Sequence, residues 1–327
     1  MKKKNYLYIF ASLLLCFFVL SACGNSEEDN ADDESSNHEE TSNTEETSEE
    51  RILTDAMGNE VTIPANPERV LASYLEDYLV ALGITPVAQW SVQDGESIQD
   101  YLQDSLEDVP TIPHDLPYET VASFDPDLII MDSAEMVEGN KYDQYSSIAP
   151  TYVIGTEQNN DWRSEFKQVG EIFGKEEETQ QVLDDYEQKA EEAKEQVHQA
   201  IGDESVAAIW LVGNTFYIVS DSLSSGDVLY NDLGLTLPNV VEEISANSTA
   251  NWSEISLEKL AQLDADHIFL INSDGDGAEM LEDEIWQNIP AVKNGNIYEY
   301  GPESSWLYTG PVANQQMIDD VLESLAE

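Results

Sequence analysis

Residues Tyr118–Met131 read YETVASFDPDLIIM, and residues Leu257–Leu270 read LEKLAQLDADHIFL. Aligned end to end, they agree at Glu119 and Glu258, Ala122 and Ala261, Asp125 and Asp264, Asp127 and Asp266, and Ile129 and Ile268. Most of the remaining positions are apolar in both copies. Each copy reads as a helix running into a buried strand, with a glutamate near the start of the helix. One chain writing this phrase twice points to two units of similar plan.

The flanking sequence extends both units. In the first, RVLASY reads as a strand, LEDYLVALG as a helix stopped at Gly83, and ITPVAQW as a strand; beyond the repeated phrase, TYVIG is a further strand. In the second, VAAIWLV and TFYIVSD are strands and SGDVLYNDLG is a helix stopped at Gly234. After its copy of the phrase come a helix near AEMLEDEIWQNI, the strand NIYEYG and a closing helix GPVANQQMIDDVLESLAE. Strands alternating with helices predict α/β units with mostly parallel sheets and helices on both faces. Between the units, Val182, Leu183, Tyr186, Ala190, Ala193, Val197 and Ile201 recur at spacings of three and four, with no glycine or proline before Gly202. This predicts one long amphipathic helix, a rigid strut joining two lobes. The expected organisation is a lobe over 51–172, the interlobe helix over 173–201, and a second lobe over 202–327.

The first 50 residues are of another kind. Lys2, Lys3 and Lys4 precede the apolar run YLYIFASLLLCFFVL, and LSAC then ends at Cys23. This is the pattern of a bacterial lipoprotein signal: removal of residues 1–22 and acylation of Cys23. Cys23 is then the sole cysteine of the mature chain, so there is no disulfide framework. Residues 24–50 carry 12 acidic residues and almost nothing apolar, which predicts a disordered, extended tether over 23–50.

The net charge of −54, with Arg51, Arg69 and Arg163 as the only arginines, excludes nucleic acid as a partner, because phosphate binding needs clustered Lys and Arg. The acidity itself reads as a solvated surface. No G-x-S-x-G elbow, Walker loop, G-x-G-x-x-G or H-E-x-x-H occurs, so no enzymatic constellation or cofactor loop is present. His38, His114, His198 and His267 fall too far apart in the predicted organisation to converge on a transition metal. Asn272, Asp274, Asp276 and Gly277 match the opening positions of an EF-hand loop, but Asp283 stands where a glutamate is needed and the segment leaves a strand. It reads as an acidic strand-to-helix loop.

In parallel α/β units, ligands sit beyond the carboxyl ends of the strands. That rule selects the loops near Tyr74, Trp90, Ser133, Trp162, Tyr217, Ser222, Trp252 and Ser273, and the segment holding Trp306 and Tyr308. Aromatics so placed suit a ligand with a large apolar face and an amide-rich rim. Trp210 and Trp286 read as packing. For an anionic ligand the body offers only Arg163, with Lys141 and Lys167, as counter-charge.

The signal and tether, DAMGNEVTIPANPERVLAS at Asp55–Ser73, VASFDPDLIIMDS, the strut, IPAVKNGNIYEYGPESSWLYTGP and the terminal helix together resemble a siderophore-binding lipoprotein. Such proteins are substrate-binding subunits of iron-uptake ABC importers, here of the iron-hydroxamate type of Gram-positive bacteria. The resemblance spans roughly residues 52–325. It implies two α/β lobes joined by one helix, with the ligand in the cleft between them, and a monomeric, non-enzymatic receptor without cofactor on the outer face of the cell membrane. Tyr74, Trp90, Trp162, Arg163, Tyr217, Trp252, Trp306 and Tyr308 become the expected ligand-binding residues. Glu119 and Glu258 become the contacts to permease arginines. Haem and cobalamin, carried by related binding proteins, stand as alternative ligands, and a two-lobed α/β enzyme as the alternative of another class. One departure is visible. Hydroxamate binders of this family often carry Trp and Arg in the loop before the DVLYNDLG helix, where this chain has SDSLSSGD.

Overall fold

The computed structural model describes residues 50–326 apart from Ser73, Gln93, Asp94 and Gln158. The signal sequence, Cys23 and nearly all of the expected tether lie outside the described residues. Twelve strands are present among the described residues. In the N-terminal half they are β1 Arg51–Thr54, β2 Glu60–Ile63, β3 Val70–Ala72, β4 Gln89–Ser91, β5 Thr111–Pro113, β6 Leu128–Ser133 and β7 Thr151–Gly155. In the C-terminal half they are β8 Val206–Val212, β9 Thr215–Val219, β10 Trp252–Glu254, β11 His267–Asn272 and β12 Ile297–Tyr300.

The duplicated phrase supplies the strand around which each half is built. β6 lies between β3 and β7, parallel to both, and β11 lies between β8 and β12, parallel to both. The shared aspartates explain part of the identity. Asp127 accepts the backbone N–H groups of Glu68 (2.8 Å) and Arg69 (3.0 Å), just ahead of β3. Asp266 accepts the backbone N–H (2.8 Å) and the hydroxyl (2.9 Å) of Ser205, just ahead of β8. Each aspartate thus fixes where the neighbouring parallel strand begins, which sets the register of the pair.

β9 and β10 run antiparallel at the far edge of the second sheet, through a β8–β9 hairpin at Gly213 and Asn214. Both hairpin residues have positive φ, 59° and 60°, the conformation a two-residue type I′ turn requires. Asp274 holds that turn by accepting both of its N–H groups, at 2.6 and 2.7 Å. The acidic residue that resembles a calcium ligand therefore has both oxygens engaged as a loop clamp.

The strut is a helix over Glu176–Ile201, 26 residues or about 39 Å long at 1.5 Å per residue. The expected connection at 173–201 takes in the end of a preceding helix, Trp162–Phe173, which closes on Gly174 at φ 64°, and the strut itself begins at Glu176. Leu183, Tyr186, Ala190, Ala193 and Val197 of the strut are buried. They share one core with the inner faces of both sheets (Val70, Ala72, Leu128, Ile130; Val206, Ala208, Phe269, Ile271) and with the C-terminal helix Pro311–Leu325. Each fully buried Leu or Val contributes roughly 1.5–3 kcal/mol, so the strut is welded along its length rather than standing free. The outer sheet faces are covered by separate clusters, one around Ile129, Met131 and Tyr145 and one around Ile209, Ile268 and Trp286.

Several polar contacts join the halves, among them two made by charged side chains. Asp77, buried in the helix Glu76–Ala81, accepts the N–H groups of Val312 and Ala313, both at 2.9 Å, and the Tyr101 hydroxyl. It caps the first turn of the C-terminal helix from the other end of the chain. Gly310 makes room for this, since a Cβ there would lie 2.4 Å from the Asp77 carboxylate. The second tie is Arg163, described below. The stretch expected as a regular helix at Asp227–Asp232 is a π-helix. Its i→i+5 repeat brings Asp227 and Asp232 to the same side.

Candidate ligand-binding cleft

A cavity of about 280 Å³ opens between the two halves. From the N-terminal half it takes Tyr74, Tyr78, Asp132, and the run from Asn159 to Trp162 with Glu165. From the C-terminal half it takes Ser222, Leu223, Ser224, Asp227, Asn251 and Leu307–Thr309. The N-terminal walls follow from the fold: Asp132 stands at the carboxyl end of β6, and the run from 159 follows β7 into the next helix.

One wall is aromatic. Tyr74, 42% exposed and held at φ 59°, has Trp90 edge-on behind it at 4.8 Å and Tyr308 beside it at 6.3 Å. Tyr308 in turn lies 5.3 Å from Tyr101. A non-glycine residue in the left-handed region is unusual, and such strain gathers at binding sites. The opposite wall starts at Asp161, whose carboxylate caps the Trp162–Phe173 helix by accepting the Ser164 N–H at 2.8 Å. That cap places Trp162 and Glu165 in its first turn. Glu165 accepts the Tyr78 hydroxyl and the Asn160 amide, both at 2.9 Å. Burial pushes its pKa up against those two bonds. Burial, with Glu165 nearby, pushes Asp132 up to about 7. Two of the lining residues carry a fully buried polar atom without a hydrogen-bond partner: the Trp162 indole N–H and the Ser224 hydroxyl.

Of the residues expected from sequence, Tyr74, Trp162 and Tyr308 line the cavity and Trp90 backs it. Tyr217 and Trp252 do not line it. They pack with Trp210 on one face of the second sheet, 5.4 and 6.2 Å from it, while Asn251 beside Trp252 reaches the cavity. Trp210 is only half-buried and donates to Ser273 (2.9 Å), whereas Trp286 stacks on Phe216 inside an outer cluster.

Two further expectations are corrected, beyond Tyr217 and Trp252. Trp306 is fully buried, stacks on Phe269 at 4.5 Å, and donates its indole N–H to Asp320. Its segment is a short 3₁₀ turn that drives the ring into the shared core and leaves Leu307 and Tyr308 on the cleft. Arg163 is not among the residues that line the cavity. Its guanidinium lies 4.5 Å from the Trp162 ring centroid, pairs with Asp232 at 2.6 Å, and reaches Asp227 at 3.4 Å. Tyr186 of the strut donates to the other Asp232 oxygen at 2.6 Å. Asp232 and Asp227 engage this arginine, which serves as the second charged tie between the halves.

Sequence reasoning missed Tyr78, Asp132, Asn160, Glu165, Ser224 and Asp227. A signal existed for Glu165: Asp161, then Trp162, Phe166, Val169 and Ile172 at helical spacing, then Gly174, a complete cap-to-stop pattern. Asp132 adjoins Ser133, which the strand-end rule already selects.

Two α/β halves joined by a long helix, with a polar and aromatic cleft between them, define a solute-binding protein of the helix-hinged class. The chain belongs to the periplasmic binding protein family, whose model matches residues 72–304. It is 27% identical to the iron(3+)-hydroxamate-binding protein FhuD of Bacillus subtilis, over 99% of this chain and 98% of that one. Among solved structures it is similar to a binding-protein component of a Fep/Fec-like ferrichrome ABC transporter from Bacillus subtilis, with TM-score 0.70 and 26% identity, covering 84% of this chain and 100% of that one. FhuD2 of Staphylococcus aureus with bound ferrioxamine B gives TM-score 0.68 and 26% identity over 80% and 98%.

Proposed function

We propose that this chain is the substrate-binding component of an ABC importer, a non-enzymatic receptor that captures a ferric siderophore, a hydroxamate, and delivers it to the permease. The observation that carries this reading is the cleft itself. Tyr74, Trp162 and Tyr308 offer apolar faces, and Asn159, Asn160, Asn251, Ser222 and Thr309 offer an amide and hydroxyl rim, with no lysine or arginine among the lining residues. Such a surface suits the apolar outer face and carbonyl-rich edge of an iron trishydroxamate. Anionic ferric complexes call instead for clustered Arg.

The N-terminal signal makes the protein a lipoprotein acylated at Cys23 and held on the outer face of the cell membrane by the 23–50 tether, with lobes over 51–172 and 202–327 about the connection at 173–201. No helix among the described residues is long and apolar enough to cross a membrane. Glu119 and Glu258 are exposed in the first turns of the helices Tyr118–Ser123 and Leu257–Leu260. As equivalent positions of the duplicated phrase, one per half, they are the pair that meets arginines on a two-subunit permease.

The test is a tryptophan-fluorescence titration with ferrioxamine B, ferrichrome, ferric citrate, a ferric catecholate, haem and cobalamin. The proposal expects saturable quenching at low concentration by the hydroxamates. A response confined to haem or cobalamin would overturn the siderophore reading.

A further inference from the structure

Resting on the receptor reading above, we propose that Arg163, without touching ligand, is the positioning residue of the cleft: it fixes the wall at 222–227 relative to the wall at Trp162 and so sets which chelates fit. Arg163 follows Trp162 in the first turn of the Trp162–Phe173 helix, and Trp162 lines the cavity. Its guanidinium crosses to the C-terminal half, pairing with Asp232 at 2.6 Å and reaching Asp227 at 3.4 Å. Asp227 lines the cavity from that half. The strut joins the same node, because Tyr186 donates to the second Asp232 oxygen at 2.6 Å. Stacking completes it. The guanidinium carbon lies 4.5 Å from the Trp162 ring centroid and 5.3 Å from that of Tyr186, and the two rings meet edge-on at 5.1 Å.

The wall in the C-terminal half is tied to these aspartates. The Asp227 N–H donates to the Ser224 carbonyl and the Gly226 N–H to the Leu223 carbonyl, both at 3.1 Å. Gly226 packs against the chain just beyond β9, where a Cβ would overlap the Ser220 carbonyl. At the other end of the loop, the Ser220 N–H donates to the Asn251 carbonyl at 2.8 Å, and Asn251 also lines the cavity. The single π-helical turn connects Asp227 to Asp232. The lining loop is therefore held at both ends, and its place relative to Trp162 depends on what holds Asp227 and Asp232. Another contact across the cavity, from the Asn159 amide to the Thr249 carbonyl at 3.2 Å, is neutral and exposed. The Arg163 pairs are charge-assisted, and the three side chains are only 13–23% exposed, so they carry more of the constraint.

The experiment titrates ferrioxamine B and ferrichrome, a linear and a cyclic trishydroxamate, against the full-length chain in detergent, well below the melting temperature of each variant. Residues that act through others shift affinity roughly two- to thirtyfold. Arg163→Met should weaken ferrioxamine B binding about tenfold and change the ratio of the two dissociation constants by about threefold or more. A loss of stability alone would leave that ratio where it is. Arg163→Lys keeps the charge but loses the fork and the stack, and should fall between wild type and Arg163→Met. Asp232→Asn keeps an oxygen for Tyr186; it should reproduce the loss and add nothing to it when combined with Arg163→Met. Wild-type affinity and ratio in Arg163→Met, or in Asp232→Asn where that variant alone folds, overturns the positioning role and leaves the receptor reading standing. Losses that add in the double variant overturn the shared node. Saturable binding of neither chelate by wild type overturns both readings.

Discussion

Glu76 allows a prediction in which the fold itself answers to pH. Its side chain is 2% exposed, and its carboxylate accepts the Trp90 backbone N–H at 2.6 Å, tying the Glu76–Ala81 helix to β4 behind the aromatic wall. Burial, aided by neighbouring Asp77, raises its pKa from 4.5 to about 7. Folding therefore strengthens proton binding at this carboxyl. Its contribution to stability is fully present below about pH 4.5 and is lost as pH rises through about 7. At 1.36 kcal/mol per pKa unit, the loss is on the order of 3 kcal/mol. Glu76→Gln keeps an acceptor for Trp90 and removes the titration. Any fixed cost of the new amide is the same at every pH, so the informative quantity is the change with pH. Urea unfolding at pH 4.5, 6 and 8 should show wild type losing about 3 kcal/mol more than Glu76→Gln across that range. Asp77 and Asp132, raised to about 6 and about 7 by burial, add a decline common to both proteins. Parallel stability profiles for wild type and variant would refute the assignment of a buried, proton-holding Glu76.

Trp306→Ala removes a fully buried ring stacked on Phe269 and should cost about 3–5 kcal/mol of stability by urea unfolding. Ligand affinity of the folded variant should stay within a few-fold of wild type, and a large affinity loss at unchanged stability would return this residue to the cleft. Glu119→Arg combined with Glu258→Arg should abolish iron-chelate uptake in cells while purified protein binds ligand normally and melts within a few degrees of wild type. Uptake at wild-type rate would leave the two glutamates as carboxylates complementing helix dipoles. Cys23→Ala should release the protein into the medium with its ligand affinity unchanged, and retention in the membrane fraction would contradict lipid anchoring.

Much of the architecture was legible because it rests on local pattern. The duplicated phrase identified a buried inner strand of each sheet, and its D-x-D carried the aspartates that start the neighbouring strands. The strut was readable from the spacing of Leu183, Tyr186, Ala190 and Val197, all of which are buried. The cleft was readable in part. Strand-end position placed Tyr74, Trp162 and Tyr308, but it cannot tell a ring lining a cavity from one turned inward by a single 3₁₀ turn, as at Trp306. Arg163 was misplaced because its partners, Asp227 and Asp232, lie far along the chain, and only the π-helical repeat brings both to it. Asp132 and Glu165 looked like two more acids in a very acidic chain, and only their burial in a shared cavity distinguishes them.

The central claim is that a ferric hydroxamate occupies the cleft between the halves, against Tyr74 and Tyr308. Its most direct test is the dissociation constant of ferrioxamine B for wild type and for Tyr74→Ala with Tyr308→Ala, read by tryptophan quenching. Truncating one aromatic anchor costs about 2 kcal/mol or more, and about 1.4 kcal/mol is tenfold. Wild type should bind saturably and one-to-one, and the double variant, with the fold intact, at least about a hundredfold more weakly. Equal affinity in the two proteins would contradict it.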